Sequence, residues 1–488
     1  MAFDTIKAFA RRFRGMSKNL LHEVPEIAKS ESAEAVRMME SIDLWQNMHR
    51  GAPPWIKDDD PSLEIPSQIA AEVAGSVTVE MDVEIQGSPL ADFIAETFKP
   101  VLKDAQDTIE NVCAGGGYVL KPCPAGDKIT VEMVKPDAFW PTAYTNDRKI
   151  TGAYFIYRYF EGRKVYTRLE KHELLGDRYV ITNTCYMSAS ADTLGRACPL
   201  TAVDRWADIE PEVTIDDLDT PLFAYIRMPL ANTIDPESPL GVSIYHKAVK
   251  TIRDADRQYQ SLLWEYQGGE LAIDVTEDAF KKRGGKPELP QGKERLYRTN
   301  ELDAATTKET EIFKEWAPEL RDANYMSGLN KILIQIENQC LLSRGIISDP
   351  NEVEKTATEY RIMKQRYARL VYKIQGSYED ALRDLAAAVA ALAHLYGLAP
   401  DGEYNMVFTW DDSILVDSEA ERMRDLQEVR DGIMKKWEYR MKWYGEDEAT
   451  AKMMVESGAD LTDDELLAFN ESNPAQEPNP AAGAVLQE

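Results

Sequence analysis

SPLGVSIYHKAVKTIRDADRQYQSLLWEYQGGELAID, residues 238–274, decides how the rest of the chain is read. Tyr245, Ala248, Val249, Ile252, Ala255, Tyr259, Leu262, Leu263 and Tyr266 recur at steps of three and four. That spacing gathers them on one face of a helix. A long amphipathic helix is therefore predicted from Ser238, with Gly268 and Gly269 as its stop. A short mixed segment comes next, ELAIDVTEDAFKKRGGKPELPQGKERLYRTN, with two strand-like pieces and turn glycines. A second helix is expected from about Glu319 to Ser343, with Leu329, Ile332, Leu333, Ile336 and Cys340 on one face and Gly345 as its stop. Two long helices thus flank an insert of roughly fifty residues, as a pair of rods with a small tip.

Downstream, IISDPNEVEK interrupts the helical pattern, because Asp349 precedes Pro350 and is steered away from the α region. Thr356-Ala357-Thr358-Glu359 is a capping box that opens a new helix. That helix runs towards Tyr396 with Gly397 as its stop, about 40 residues or about 60 Å. Gly376-Ser377 lies midway, a pair that commonly kinks such a helix. YNMVFTWDDSI reads as a strand, and SEAERMRDLQEVRDGIMKK, WEYRMKWYG and EDEATAKMMVES as closing helices. Upstream, residues 1–50 read as helical, with a Gly stop after SESAEAVRMMESIDLWQNMHR. SVTVEMDVEI (76–85) alternates Val77, Val79, Met81, Val83 and Ile85, the period of a half-buried strand. ADFIAETFKPVLKDAQDTIENVCAGGG reads as one helix ending at Gly115. From there to about residue 230, YVLKP, KITVEMV, TGAYFIYRYF, KVYTRLEKHEL, DRYVITNTCYM and FAYIRM read as strands joined in hairpins. The class is α+β.

Composition narrows the function. The chain has 488 residues, enough for a sizeable core and more than one domain. Against 84 Asp+Glu stand 56 Lys+Arg, a net charge of −28. An ordinary nucleic-acid binder carries a basic footprint instead. Eleven acids and one base fall between Glu446 and Glu488, and the end, NESNPAQEPNPAAGAVLQE, reads as disordered. MAFDTIKAFARRFRGM is basic and amphipathic but lacks the long apolar run of a secretory signal, and no run is long enough to span a bilayer. Cys113, Cys123, Cys185, Cys198 and Cys340 are scattered and odd in number, which fits a reducing compartment and argues against a disulfide framework or a zinc site. His22, His49, His172, His246 and His394 show no metal-ligand spacing. GGG at 115–117 precedes a strand and no GxxxxGK[ST] exists, so no nucleotide site is expected. Asp411 and Asp412 have no third ligand nearby in sequence. Neither an enzymatic activity nor a cofactor is expected.

The 238–274 stretch resembles the run into the stem of siphophage portal proteins, the group typified by Listeria phages. LPQGKERLYR (289–298), KTATE (355–359) and TWDDSILVDSEAERMRDLQEVRDGIMKKWEYRMKWYGEDEATAKMM (409–454) resemble that family too, in the same order and spacing over about 240–455. IPSQIAAEVAGSVTVE fits more loosely, and the acidic tail after Gly458 departs from the pattern. The resemblance implies a portal fold: a β-rich wing (1–243), a two-helix stem (244–267 and 318–345), a small α/β clip (268–317), a tunnel loop (346–355), a long kinked helix with a wing return (356–417), and a helical crown with the acidic tail (418–488). It also implies a ring of twelve copies at one capsid vertex, assembled in the host cytoplasm and carried in the virion. Double-stranded DNA would pass through without sequence specificity. The expected partners are the terminase large subunit, the head–tail adaptor, and capsid and scaffolding proteins. A packaging motor or nuclease would need a Walker motif or an acidic metal cluster, and neither is found; a minor capsid or adaptor protein is the other alternative.

Three residue sets are candidates for function. Asp349, Pro350, Asn351, Glu352, Val353, Glu354 and Lys355 form the loop, whose three acids face one base and would repel phosphate. The loop is expected to hold its two flanking helices apart. Lys281, Lys282, Arg283 and Lys286 cluster around Gly284-Gly285 and either dock an acidic partner or are simply solvated. Arg366, Arg369 and Lys373, with Lys355, share one face of the helix after the capping box, opposite Tyr360, Met363, Tyr367, Leu370, Val371 and Ile374. That basic strip either faces DNA, pairs with a neighbouring subunit, or is an ordinary solvated face. Lys247, Lys250, Arg253 and Arg257 alternate with Asp254 and Asp256, too mixed for a tight DNA clamp.

Overall fold

The computed structural model describes residues 33–57, 60–79, 81–190, 193–269, the strands of the 272–316 insert, 319–349, 357–410 and 418–456. The chain divides into two compact units, 1–410 and 411–488. The class is mixed α+β, as expected, with helices and several antiparallel sheets.

The first unit opens with α1 (Ala33–His49) and α2 (Ile65–Thr78). α2 corrects the sequence reading of 76–85. Val77 lies inside a helix, and Val79 comes after it in helical conformation. The strand β1 is Met81–Gly87 only. Ile65, Ile69, Ala70, Val73, Ala74 and Val77 are all buried, so the helical period of the preceding residues extends through Val77 and overrides the alternation. The single helix predicted after it is two, α3 (Pro89–Lys103) and α4 (Ala105–Gly115). Pro100 lies inside α3, and the helix gives way at Asp104. Pro100 crowds only the turn before it, and the Asp104 amide still donates to Pro100 O at 3.1 Å, so the break follows the proline without being made by it.

β2 (Gly117–Ala125) and β3 (Lys128–Val134) pair antiparallel. Next come β4 (Phe139–Tyr144), β5 (Ile150–Glu161), β6 (Lys164–Leu175), β7 (Arg178–Ser188) and β8 (Arg196–Cys198), in sheet order as in sequence, with β9 (Glu212–Asp216) also on β7. β10 (Ala224–Arg227) joins β2 on the side away from β3. All six strands read from sequence are present; β4, β8 and β9 are additional. The glycines at 115–117 serve packing. Gly116 has φ +85, and a Cβ there would sit 2.6 Å from the Gly241 carbonyl oxygen. The Gly116 carbonyl in turn accepts from the Met228 amide at 3.0 Å. Backbone lies against backbone here, which only glycine permits.

α5 (Val249–Gly268) begins about three turns later than predicted. Residues 238–248 stay outside the helix because α4 and α1 hold them: the Ile244 amide donates to Cys113 O of α4 and the Tyr245 hydroxyl to Trp45 O of α1. The insert then forms β11 (Ala272–Thr276), β12 (Lys282–Arg283), β13 (Lys286–Pro287), β14 (Tyr297–Asn300) and β15 (Phe313–Trp316). β11 is central, parallel to β14 and antiparallel to β15. α6 (Asp322–Gln339) returns alongside α5 in the opposite direction: Arg321 bonds Glu265, and Gly328 abuts Gln258.

α7 (Ala357–Tyr396) is 40 residues long and remains helical through Gly376-Ser377. The Ser377 hydroxyl donates across to Arg227 O of β10 at 2.6 Å. Tyr367, Leu370, Val371, Ile374, Tyr378, Leu382 and Leu385 form its buried stripe. Each such side chain contributes roughly 1.5–3 kcal/mol of burial. β16 (Tyr404–Trp410) closes the unit by pairing antiparallel with β1, Met81 opposite Trp410.

The second unit is described as three short helices, α8 (Ser418–Arg430), α9 (Lys436–Tyr444) and α10 (Glu448–Glu456). Tyr439 is fully buried and its hydroxyl accepts from Arg422 at 3.0 Å. Asp425 accepts from Trp443 Nε1 and pairs with Lys442, and Arg440 grips Glu446 with two nitrogens. Residues 1–32 and the acidic tail 457–488 lie outside the described residues.

Candidate functional site

The α5–α6 pair positions everything of interest. Asp256 on α5 is buried and accepts from Trp55 Nε1 at 2.8 Å, Ser62 Oγ at 3.0 Å and the Leu63 amide at 3.0 Å. It anchors the helix to the body and is not one of the charges available to a passing ligand. At the far end, Arg321 clasps Glu265 through Nε at 3.0 Å and Nη2 at 2.7 Å. These bonds hold the Glu265 carboxyl below its ordinary range. Trp264, Tyr266, Leu320 and Met326 stand exposed at this same end, Trp264 by 68% and Met326 by 52%.

At the other end of α6, the chain folds back on itself. Leu341 takes φ +63 and Gly345 φ +89. The Glu337 carboxylate, with 0% exposure, gathers the returning backbone. Its Oε1 accepts from the amides of Gly345 (3.1 Å), Ile347 (2.9 Å) and Ser348 (3.0 Å), and its Oε2 from Ser348 Oγ (2.8 Å). Seven residues earlier on α6, Asn330 accepts from the Asp349 amide at 2.8 Å and donates to Asp349 O at 3.4 Å. Residues 345–349 therefore lie along α6. The first part of the loop is thus docked on the helix it leaves. Pro350, Asn351, Glu352, Val353, Glu354 and Lys355 lie outside the described residues, as does Thr356 of the capping box. Sequence reasoning missed Glu337 and Asn330. The available signal was a carboxylate and an amide seven apart, in register with the buried face of an apolar helix.

The basic strip on α7 divides. Arg366 is half-buried and donates to Asn338 Oδ1 at 3.3 Å and Leu342 O at 3.1 Å, tying α7 to the end of α6. Arg369 and Lys373 are exposed, opposite the buried Tyr367, Leu370, Val371 and Ile374. Tyr360 and Met363 have no described side chains. In the insert, β12 and β13 place Arg283 directly across from Lys286. Lys281 and the two glycines lie outside the described residues, as do Asp411 and Asp412.

No family model and no curated protein matches this chain. Among the described residues, no group of three or more His, Cys, Asp or Glu is placed to hold a metal ion, and no helix is long and apolar enough to cross a membrane.

A second polar cluster, also missed from sequence, lies between the β10-β2-β3 sheet and the β4–β8 sheet. Lys121 on β2 pairs with Glu170 on β6 at 2.7 Å and bonds the Tyr157 hydroxyl, which donates to Glu132. Glu170 also takes Arg168 at 3.0 Å and His172 Nε2 at 2.7 Å. His172 Nδ1 lies 2.8 Å from the Tyr179 hydroxyl, which itself accepts the Leu222 amide. The tyrosine proton thus goes to Nδ1, and the neutral ring donates from Nε2 to Glu170. Burial alone would raise the Glu170 carboxyl, but the His172 bond and the Lys121 charge hold it well below the usual range. Burial lowers His172. Every charge has a partner and nearly all are buried, so the cluster clamps sheet to sheet and offers no open reacting centre.

Proposed function

We propose that the chain is the portal subunit of a tailed phage. Twelve copies form a ring at one capsid vertex, through which the genome enters and leaves. The antiparallel α5–α6 pair, capped by a small sheet and bearing Trp264, Tyr266, Leu320 and Met326 at the capped end, carries this reading. A rod and tip with uncovered apolar side chains need neighbours, and a closed rotation supplies one on each side of every copy. The ordered resemblance over 240–455 points the same way. In this reading α5 and α6 are the stem, 268–317 the clip, 346–355 the tunnel loop, α7 and β16 the return to the wing, and α8–α10 the crown.

The chemistry suits a conduit. Each phosphate held by Lys or Arg adds salt-dependent affinity, and therefore drag. On α5 the exposed Arg257 faces Asp254 at 3.8 Å and Lys250 is exposed, while exposed Lys247 lies in the turn before the helix. DNA slides past such a wall without being gripped or read. The basic turn of Lys281, Lys282, Arg283 and Lys286 at the tip receives the terminase large subunit during packaging and the head–tail adaptor afterwards. The protein catalyses nothing itself; the motor that docks on it does the chemical work.

Trp264→Asp tests the reading at the surface that carries it. A charge in a covered aromatic site costs about 2 kcal/mol or more per interface, so native mass measurement should find monomer where the parent chain gives closed rings. Rings of unchanged size and stability in the variant would contradict it.

A further inference from the structure

β8 is held to β7 by three residue pairs, and one of them sets Cys198 directly opposite Cys185. Both thiols are free, and their sulfurs are 3.1 Å apart. Facing residues on antiparallel strands have Cα atoms about 4.5–5.5 Å apart, inside the range that a disulfide spans. The sulfurs need approach by only about 1 Å to reach bonding distance. The other three cysteines have no such neighbour in the described contacts, and Cys113 and Cys340 are deeply buried.

The pair also has an approach route. It lines a cavity of about 430 Å³ together with Tyr186, Leu200, Ile209 and Pro211. Cys198 is half-buried at that cavity, whereas Cys185 is buried behind it. We propose that Cys185 and Cys198 form a reversible redox staple on the sheet edge, closed by exchange with a low-molecular-weight disulfide.

The accessible Cys198 reacts first. It releases its proton to water, and its thiolate attacks one sulfur of the reagent. The reagent's S–S bond breaks, one thiolate leaves and takes up a proton, and Cys198 carries a mixed disulfide. Cys185 then loses its proton and attacks the Cys198 sulfur. The bond to the reagent breaks, and the second thiolate leaves and takes up a proton in place of the one Cys185 gave to water. Two protein thiols are oxidised to one disulfide, and the reagent is reduced by two electrons to two thiols. Burial and the Cys198 hydrogen bond push the Cys185 thiol up to about 12, so little thiolate forms there and the closing attack relies on the 3.1 Å proximity of the two sulfurs.

The staple closes the segment between β7 and β8. It also fixes the short turns Leu200–Ala202 and Asp204–Trp206, which send Leu200, Val203 and Trp206 into a cluster with Tyr166 and Cys185. A reducing compartment keeps the pair open and an oxidising one closes it. The staple depends only on this sheet edge and stands apart from the portal reading.

The test incubates the full folded chain with glutathione disulfide, quenches in acid, unfolds, alkylates and maps peptides. Two of the five cysteines should escape alkylation, joined as one Cys185–Cys198 peptide, and dithiothreitol should restore both. Cys185→Ser should stall as a glutathione adduct on Cys198; if that variant does not fold, the map of the parent chain decides alone. Five alkylated cysteines, an adduct that persists on Cys198 of the parent chain, or a bridge to another cysteine would overturn the proposal.

Discussion

Glu337 organises the end of α6 almost single-handedly, since four donors converge on one carboxylate with no exposure. Glu337→Ala should leave the buried Ser348 amide and hydroxyl and the half-buried Ile347 amide without their acceptor, while the Gly345 amide keeps Ser348 Oγ at 3.3 Å. At about 1–3 kcal/mol per unsatisfied group, with partial rescue by water, the expected loss is about 2–5 kcal/mol, read as a lower urea midpoint. Glu337→Gln keeps one acceptor oxygen and should lose less. An alanine variant as stable as the parent would show that water replaces the carboxylate. The clamp around Glu170 makes a separate prediction about pH. His172 is lowered by burial, so the unfolded chain takes up a proton below about pH 6.5 while the folded chain does not. Stability therefore falls as pH drops from about 6.5 towards the native value of His172. Glu170 is held low, so its contribution is present above about pH 4.3 and is lost as pH falls through its native value. His246, lowered mainly by burial, adds the same sign. The urea midpoint should decline on acidification, and more shallowly in His172→Gln; parallel pH profiles for variant and parent would refute the assignment.

Two elements meet at the 346–355 loop, and its docked start sets how it can be tested. Asp349 is bonded to Asn330, so a replacement should begin after it. Exchanging Pro350–Glu354 for a short Gly-Ser link leaves the Glu337 latch intact. In a portal, rings of such a variant should assemble normally but package or retain less DNA. Genomes packaged and retained at the parent level would reduce the loop to a connector. At this scale the sequence was legible where one period dominated. α7 was read at its observed length, since its apolar stripe is long and Gly397 ends it at φ +61. The strands between 117 and 227 were read because β-branched and aromatic runs alternate with turn glycines. Val77 and Val79 were misread because a helical and a strand period overlap there, and burial decided for the helix. The start of α5 was misplaced because Tyr245 and Ala248 keep helical spacing while Ser243 and Ile244 just before them are bonded to Cys113 O at the end of α4. β8 and β9 are too short to carry a period of their own. Glu337 showed only as a carboxylate on the apolar face of its helix, and the Glu170 clamp and the facing cysteines were invisible, since each depends on which segments meet in space.

For the whole molecule, charge and uncovered apolar surface pull in opposite directions. In the portal reading, a net charge of −28 on each copy makes copies repel, while the exposed Trp264, Tyr266, Leu320 and Met326 favour contact. The repulsion is screened over about 8–10 Å at physiological salt, which leaves close apolar contacts in control. A surface that must meet a different surface on the next copy closes into a ring when the rotation allows and into a filament when it does not. Negative-stain imaging of the purified full chain at moderate salt tests this most directly. The portal reading predicts uniform rings with an axial hole, twelvefold in end-on class averages; compact single particles without a hole, or open filaments, would contradict it.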